Sequence, residues 1–299
     1  MKLSVIFVGE LHDGGFNQCA LAGVKALPGP DVDVVRGVPY DAAAMTQALR
    51  GAALHSDGIV FVGGQGNQVV PEVAGAFADR TFAVVQGNVT GANLASYDVL
   101  QEQSAFLAGV LAVRMSRTGT VGHLSGHRVL PGLKGRAAFA AGVRFADKSV
   151  RLVTGFCGTQ DDSAVTEAWT RALTAEGADP IFTMLNAART GATRACRETG
   201  ARQIGNAADW CRIDPDVFVA SAMARIDLGV MRAVADIESG LSPGKIVHLG
   251  IREEAVTLSM GRDVPEQVRQ EIAGLAKDIA EGRMTVATIY DGPEFEVAA

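Results

Sequence analysis

The sequence predicts an α/β protein made of two doubly wound lobes, each with its own parallel β-sheet. Apolar runs of strand length alternate with segments of helical periodicity, a pattern typical of parallel sheets with helices on both faces. The chain has 299 residues, which suits two domains that each bury a core. It contains more than ten strand-like runs, too many for one comfortable open sheet.

The predicted elements alternate along almost the whole chain. The strand-like runs are 3–8, 32–35, 58–62, 82–85, 95–100, 119–124, 150–154, 180–185, 203–205, 217–221, 245–249 and 255–258. The helix-like runs are 16–27, 42–54, 69–77, 103–117, 133–147, 163–176, 189–199, 226–239 and 265–281.

No Pro- or Gly-rich linker separates the lobes, so we expect several short crossings rather than a single tether. These crossings are expected near residues 100–103, 222–226 and 251. They assign residues 1–102 and 225–250 to an N-terminal lobe, and residues 103–224 and 251–299 to a C-terminal lobe. A body of this type closes by hinge motion around a ligand held between its lobes.

Composition limits the classes of partner and compartment. The formal net charge of −6 and the absence of a Lys/Arg-rich run argue against nucleic acid and anionic membranes as partners. No apolar run approaches the roughly 20 residues that span a bilayer, so direct membrane insertion is not expected. The first residues enter a strand without a separate leader pattern, which predicts a cytoplasmic protein if Met1 is the native start.

The motifs of common catalytic and cofactor sites are missing from the sequence. The sequence GGQG at 63–66 lacks the Lys-Ser/Thr of a phosphate-binding loop and does not complete GxGxxG. There is no GxSxG elbow, and the Cys and His residues do not fall at metal-ligand spacings. Asp161 and Asp162 precede Ser163 at a helix start, which favours N-terminal capping. We therefore expect no cofactor, no metal and a non-catalytic role.

The segment 13–18, DGGFNQ, lies between the first strand and the first helix. In an open parallel sheet, loops at the carboxyl ends of the strands form the ligand crevice. An exposed Phe16 would stack on a flat heterocycle there, while the amide of Asn17 reads its edge. The alternative is that Phe16 staples the start of the helix and Asn17 caps it. The segment alone leaves both interpretations open.

Uncharged amides recur after strands in both predicted lobes. Side-chain amides donate and accept hydrogen bonds without carrying charge, so they suit a neutral polar ligand better than a phosphate. A single amide of this kind is more often a turn residue than a ligand contact. Because such amides recur after strands in both predicted lobes, a ligand-binding role is favoured for the group as a whole. Together with Asp209 and Trp210, the candidates are Gln65, Gln86, Gln101, Gln160, Asn186 and Asn206.

Several segments together resemble the basic membrane protein family of ABC-importer substrate-binding proteins, which includes purine-nucleoside-binding lipoproteins. Residues 13–23 are similar to the family's D-x-S-F-N-Q-x-x-x-x-G segment, and residues 103–112 to its S-F-L-A-G helix. Residues 117–122 match K-T-G-K-V-G, and residues 264–282 match the terminal V-P-x-x-V helix that ends in I-x-x-G. The resemblance covers nearly the whole chain. It implies a type I periplasmic-binding-protein fold with the ligand in the interlobe cleft.

Carried over residue by residue, the resemblance implies that Phe16 stacks on a purine and Asn17 hydrogen-bonds its edge, with Asp13 in the same motif. Gln101 stands where members often have an acidic residue that faces the ligand. Gln160 stands where many have an aromatic residue that covers the base from the other lobe. Trp210 would supply that second stacking face, and the alternative for Trp210 is a core position at a helix edge.

The chain departs from the family where a ribose is expected. Asp209 keeps one acid of a V-D-S-D-Q-like pattern, whereas Ala207 replaces the other. Ala224 replaces the lysine that helps nucleoside-binding members to hold the sugar. Each lost hydrogen-bond partner removes on the order of 1 kcal/mol. A nucleobase or similar small heterocycle is therefore favoured over a full nucleoside.

The leading hypothesis is a non-catalytic binding protein for a purine base or nucleoside, serving an ABC importer whose permease would be its partner. Two alternatives stay open: a leaderless cytoplasmic sensor or regulator with the same fold, and a purine- or sugar-processing enzyme that uses the cleft. Family members are normally exported, so a trimmed leader would place the protein in the periplasm or at the membrane.

Overall fold

The computed structural model describes residues 1–27, 32–241 and 244–297, and residues 28–31, 242–243 and 298–299 of the predicted lobes lie outside this description. The chain divides into two compact units. The first lobe consists of residues 1–99 and 225–249, and the second lobe of residues 100–224 and 250–299. The chain therefore passes from one unit to the other three times, after residues 99, 224 and 249.

The first lobe is a doubly wound α/β unit with a six-stranded sheet in which every pairing is parallel. Its elements are β1 (Leu3–Val8), α1 (Phe16–Lys25), β2 (Val32–Val38), α2 (Ala42–Ala53), β3 (Gly58–Val62), α3 (Gly66–Ala76), β4 (Thr81–Val85), β5 (Leu94–Val99), α9 (Ile226–Glu238) and β11 (Ile246–Leu249). The strand order is β2-β1-β3-β4-β5-β11. Helices α2 and α3 pack together on one face, and α1 packs on α9.

The second lobe repeats this arrangement with the strand order β7-β6-β8-β9-β10-β12. Its elements are α4 (Gln101–Met115), β6 (Thr120–Ser125), α5 (Leu130–Ala146), β7 (Arg151–Phe156), α6 (Ser163–Ala175), β8 (Ile181–Met184), α7 (Arg189–Thr199), β9 (Gln203–Ala207), α8 (Trp210–Ile213), β10 (Phe218–Ala224), β12 (Val256–Met260) and α10 (Glu266–Ala280). Helices α4, α5 and α10 share one core cluster, and α6 and α7 share another. Two doubly wound α/β lobes are thus confirmed.

Three of the differences between the structure and the sequence prediction concern β12, α8 and α4. Strand β12 is antiparallel to β10, because Val256 pairs with Ala224 and the chain therefore enters β12 at the end where β10 finishes. The short helix α8 was not predicted, since four residues are too few for a periodic pattern. Helix α4 begins at Gln101, two residues before the predicted start, so Gln101 lies in a first helical turn.

Two glycines of the motifs allow helices to approach closely. A Cβ on Gly23 would lie 2.7 Å from the carbonyl oxygen of Asp227, where α1 packs on α9. A Cβ on Gly109 would lie 2.2 Å from the carbonyl oxygen of Phe139, where α4 packs on α5. Real Cβ atoms do not approach so closely, so each glycine is required by packing rather than by a ligand.

His123 of β6 lies in the core of the second lobe and is fully buried. Its ring nitrogens lie 2.8 Å from Thr154 Oγ1 and 3.0 Å from Ser125 Oγ. The ring also packs against Phe139 and Phe182. Burial lowers the pKa of His123 to about 3, so the imidazole is neutral in the folded protein near neutral pH.

This buried histidine should make the folded protein sensitive to acid. Because the pKa of His123 is lower in the folded than in the unfolded chain, where it is about 6.5, acid favours the unfolded state. We expect the free energy of unfolding to fall by up to about 1.4 kcal/mol per pH unit from pH 6.5 towards pH 3. Urea titrations at several pH values, with His123→Gln for comparison, measure this contribution. A variant with the wild-type pH slope would contradict it.

None of the described helices is both long and apolar enough to cross a membrane.

Candidate functional site

Each sheet has a topological switch point, where the chain turns to build the sheet in the opposite direction. In the first sheet β1 lies between β2 and β3, and in the second sheet β6 lies between β7 and β8. Open α/β sheets bind ligands outside the carboxyl ends of the strands at such points. We call the carboxyl ends of the first sheet, with the loops that follow them, the first edge. The corresponding part of the second sheet is the second edge.

Asp13 organises the loop that follows β1 at the first edge. Its carboxylate accepts hydrogen bonds from the backbone N–H groups of Gly15 (2.8 Å), Asn17 (2.9 Å) and Gln18 (3.0 Å). The residue is 3% exposed. Helix α1 has no side-chain cap at Gly15, so Asp13 satisfies its first N–H groups from two residues upstream. The carboxylate therefore fixes the loop rather than facing solvent.

Asn17 anchors the same loop to the end of β1. Its Nδ2 donates to the carbonyl oxygens of Val8 (2.8 Å) and Glu10 (2.9 Å), and the residue is 2% exposed. Both hydrogens of the amide nitrogen are used in these contacts. The atom through which Asn17 can contact a ligand is therefore Oδ1, which is a hydrogen-bond acceptor.

Phe16 is the first residue of α1 and is only half-buried, unlike its neighbours Gly15 and Asn17. It does not belong to the core cluster formed by β1, β3, α2 and α3. A partly exposed phenyl ring on a loop fixed by Asp13 and Asn17 can stack on a flat ligand. Stacking by Phe16 stays a prediction, beside its alternative role as a staple for the helix.

The loop after β3 carries Gln65 at the first edge. Gly63 has a φ of 122°, and a Cβ at that position would lie 2.4 Å from Gln65 Oε1. The side chain of Gln65 thus folds back over the glycine turn and is half-buried. Nearby, Asn67 Oδ1 accepts a hydrogen bond from the N–H of Asn88 (2.9 Å), which ties the start of α3 to the loop after β4.

Gln86 follows β4 and has a strained backbone, with a φ of 70°. Its Oε1 accepts a hydrogen bond from the N–H of Val99 (2.7 Å), and the residue is 1% exposed. Its Nε2 is buried and has no hydrogen-bond partner among the described residues. A non-glycine residue in the left-handed backbone region and a buried hydrogen-bond donor without a partner both destabilise the folded state. Such features cluster at functional sites.

Gln101 begins α4 and is buried. Its carbonyl oxygen accepts a hydrogen bond from Ser104 Oγ (3.1 Å). The next residue, Glu102, forms an ion pair with Lys134 of α5, with Nζ and Oε1 2.6 Å apart and both side chains largely buried. This pair joins the first turn of α4 to the second turn of α5, and no periodic or motif signal in the sequence predicts it.

Gln160 and Asn186 lie together at the second edge. Gln160 Oε1 accepts a hydrogen bond from the N–H of Asn186 (3.1 Å), and the Gln160 carbonyl oxygen accepts one from Ala188 (2.9 Å). The Gln160 side chain packs on Gly126 of the loop after β6, where a Cβ would lie 2.5 Å from its Cδ. Gln160 thus joins the loops after β6, β7 and β8.

Asn206 lies near the end of β9 and is buried. With its carboxamide oriented to suit its neighbours, the nitrogen donates to the carbonyl oxygens of Thr183 and Leu185, both at 3.2 Å. The next residue, Ala207, has a φ of 63°, so the second edge also has a left-handed non-glycine residue after a central strand. Gln86 has the same conformation at the first edge.

Asp209 and Trp210 follow β9, and their side chains contact other residues of the second lobe. Asp209 Oδ1 accepts a hydrogen bond from Ser259 Oγ of β12 (2.9 Å). The indole N–H of Trp210 donates to the carbonyl oxygen of Asn206 (3.0 Å). The guanidinium carbon of Arg189 lies 3.4 Å from the centroid of the Trp210 ring, and Phe218 packs at 5.7 Å. These contacts give Trp210 a packing role, which was the alternative to stacking on a ligand.

No group of His, Cys, Asp and Glu in the described ranges could hold a metal ion. Burial raises the pKa of all four cysteines, to about 11 for Cys19 and about 12 for Cys196, so their thiols stay protonated. The grouped side chains are mainly amides, which position polar ligands without transferring protons.

A family model described as "ABC transporter substrate-binding protein PnrA-like" matches residues 1–287. The chain belongs to this family. The resemblance to the basic membrane protein family is thereby confirmed. The chain is a substrate-binding protein of the ABC transporter class, a family of solute-binding proteins that are typically non-catalytic.

Two relatives illustrate the range of the PnrA-like family. Basic membrane protein D of Borreliella burgdorferi strain JD1 is 24% identical over 275 residues, which cover 88% of this chain and 80% of that protein. An uncharacterised lipoprotein of Pyrococcus abyssi is 24% identical over 277 residues, covering 86% of this chain and 68% of that protein.

Solved structures share the fold. A solute-binding protein of an ABC transporter system from Aeropyrum pernix K1 has a TM-score of 0.86 and 22% identity, covering 97% of this chain and 94% of its own. A transcriptional activator of the comK gene from Bacillus halodurans has a TM-score of 0.74 and 18% identity, covering 95% and 99%. These likenesses concern the fold, which is of the type I periplasmic-binding-protein kind.

Proposed function

We propose that this PnrA-like protein binds a purine base as the substrate-binding component of an ABC importer. The observation that carries the proposal is the preorganised loop after β1. There, Asp13 and Asn17 fix the backbone beside the partly exposed ring of Phe16. This loop lies at a topological switch point, the usual place for a ligand in an open α/β sheet.

The uncharged hydrogen-bonding groups at the two edges support the proposal that the ligand is a neutral heterocycle. Asn17 offers an acceptor oxygen, which suits a ring N–H or an exocyclic amine. Gln101, which follows β5 at the first edge, and Asn186, which follows β8 at the second edge, bring further uncharged amides. Arg128 and Arg136, near the second edge, are both paired with the carboxylate of Glu294. We propose that Gln65, Gln86 and Gln160 shape the loops around the ligand.

Two small residues near the second edge support a base rather than a nucleoside. Ala207 and Ala224 occupy the ends of β9 and β10 and are buried. Neither side chain can hydrogen-bond a ribose hydroxyl. A sugar placed there would lose water without recovering its hydrogen bonds, which costs free energy.

The test is a ligand panel measured by calorimetry, after mass spectrometry of any small molecule that co-purifies with the protein. We expect adenine, guanine or hypoxanthine to bind at least as tightly as the matching nucleoside. Incubation with the same panel should give no turnover. Nucleosides that bind clearly more tightly than every base would reject the base assignment. Binding of sugars with no purine affinity would reject the purine class.

A second candidate is a ligand-dependent regulator, which the similar fold of the comK activator from Bacillus halodurans supports. A pull-down with and without purine separates the two functions. Recovery of an ABC permease favours transport, whereas a ligand-dependent cytoplasmic partner favours regulation. A transport function would place the protein at the membrane or in the periplasm, as for the Pyrococcus abyssi relative, which is a lipoprotein. A regulatory function would place it in the cytoplasm. The coding sequence upstream of Met1 and the neighbouring genes test whether the native protein is exported.

A further inference from the structure

The C-terminal segment of the second lobe is fixed to the edge of its sheet without forming a helix or a strand. We call residues 290–295 the strap. The N–H of Phe295 donates to the carbonyl oxygen of Thr154 (2.7 Å), and Thr154 belongs to β7, the outer strand of the second sheet. The Phe295 ring packs edge to face on Trp169 of α6, with centroids 6.2 Å apart. The strap therefore covers part of an otherwise open strand edge.

The carboxylate of Glu294 bridges two arginines at the end of β7. It accepts hydrogen bonds from Arg128, which precedes α5, and from Arg136, which lies within α5. The two guanidinium groups lie 4.8 and 5.0 Å from the ring of Phe156. The Arg136 side chain is only 7% exposed. Without Glu294, two cations would face each other, one of them buried, so the carboxylate is needed to hold them together.

Arg128 connects the strap to the loop that follows β6. The loop after β7 donates two backbone hydrogen bonds, from Cys157 to Ser125 at the end of β6 (2.9 Å) and from Gly158 to Gly126 in the loop after β6 (3.1 Å). Gly126 in turn packs on Gln160, which accepts a hydrogen bond from the N–H of Asn186. The contacts form a continuous series from Glu294 to the candidate residues of the second edge.

We infer that the strap positions the second edge, with Glu294 holding the loop after β6 in place through Arg128. Glu294 is thus a positioning residue rather than a ligand contact. Only the effect on ligand affinity rests on the proposed function, because the effect on the loop is a property of the protein alone. The strap needs both parts of its attachment: the Glu294 ion pairs and the backbone bond of Phe295 to β7.

The test compares full-length Glu294→Gln with Glu296→Gln, which removes the same charge two residues away from an exposed side chain. The reporters are the amides of Cys157 and Gly158, followed by hydrogen exchange. We expect Glu294→Gln to accelerate their exchange at least about ten-fold, because the loops open locally without global unfolding. Glu296→Gln should leave their exchange at the wild-type rate.

A second variant guards against a folding defect. Arg128 is 56% exposed, so Arg128→Gln removes the link to the loop while the Arg136–Glu294 pair remains. It should accelerate exchange of the same two amides. Calorimetry with adenine and hypoxanthine should show that both variants bind these bases several-fold more weakly than Glu296→Gln does.

Hydrogen exchange at the wild-type rate in both Glu294→Gln and Arg128→Gln would overturn the inference. Failure of the wild-type protein to bind either base would reject the proposed function instead and leave the exchange result to decide on the strap.

Discussion

We expect Phe16→Ala to abolish or severely weaken purine binding while the protein stays folded. The partly exposed ring lies on a loop fixed by Asp13 and Asn17, so the substitution removes a stacking surface without disturbing the backbone around it. Loss of an aromatic stack costs about 1–3 kcal/mol, which is roughly ten-fold or more in affinity. Calorimetry with the best base of the panel measures the change.

The matched control for Phe16 is Phe77→Ala. Phe77 is also half-buried and lies in the first lobe, but it follows the C-terminal end of α3 and packs on the core. Its replacement should lower the free energy of unfolding and leave purine affinity unchanged. Equal affinity of Phe16→Ala and wild type would show that the ring serves only the start of α1.

Asp13→Ala should have the largest effect on both stability and binding. The substitution leaves three backbone N–H groups at the start of α1 without their acceptor, and the lost bonds are charge-assisted. We expect the free energy of unfolding to fall by about 3 kcal/mol, with purine affinity reduced at least as much as in Phe16→Ala. Denaturant titration and calorimetry on the same preparation separate the two effects.

Asp41→Ala provides the comparison for Asp13. Asp41 caps α2 in the same lobe through one hydrogen bond, from the N–H of Ala44 (2.9 Å). Its loss should cost about 1 kcal/mol and leave ligand affinity unaltered. If Asp13→Ala loses no more stability than Asp41→Ala and binds purine normally, Asp13 has only a local capping role.

The fold was predictable from sequence because apolar periodicity reports burial directly. Every predicted strand appears within a few residues, and so does every predicted helix. The direction of β12 was not predictable, because a short apolar run looks the same in either orientation. The short helix α8 was missed because four residues carry no period.

The roles of single site residues were harder to predict, since they depend on contacts between distant parts of the chain. The motif singles out Asn17, but its hydrogen bonds to the carbonyl oxygens of Val8 and Glu10 depend on the path of the loop. The packing of Trp210 depends on Arg189, which the sequence shows only as a charge at a helix start. Glu294 and Arg128 are 166 residues apart, and no local pattern joins them.

The return of the chain to the first lobe affects the order in which the protein can fold during synthesis. Residues 225–249 supply α9 and β11, and the buried side chains of Val230, Val234 and Ile237 lie on α9. A nascent chain that ends at residue 224 therefore lacks one helix and one outer strand of its first lobe, even though the preceding 99 residues of that lobe have left the ribosome. At about 5–20 residues per second, the ribosome takes about 1–5 seconds to add residues 225–249. During that interval the unfinished lobe exposes apolar surface, and it is the stage at which a chaperone would have most to bind.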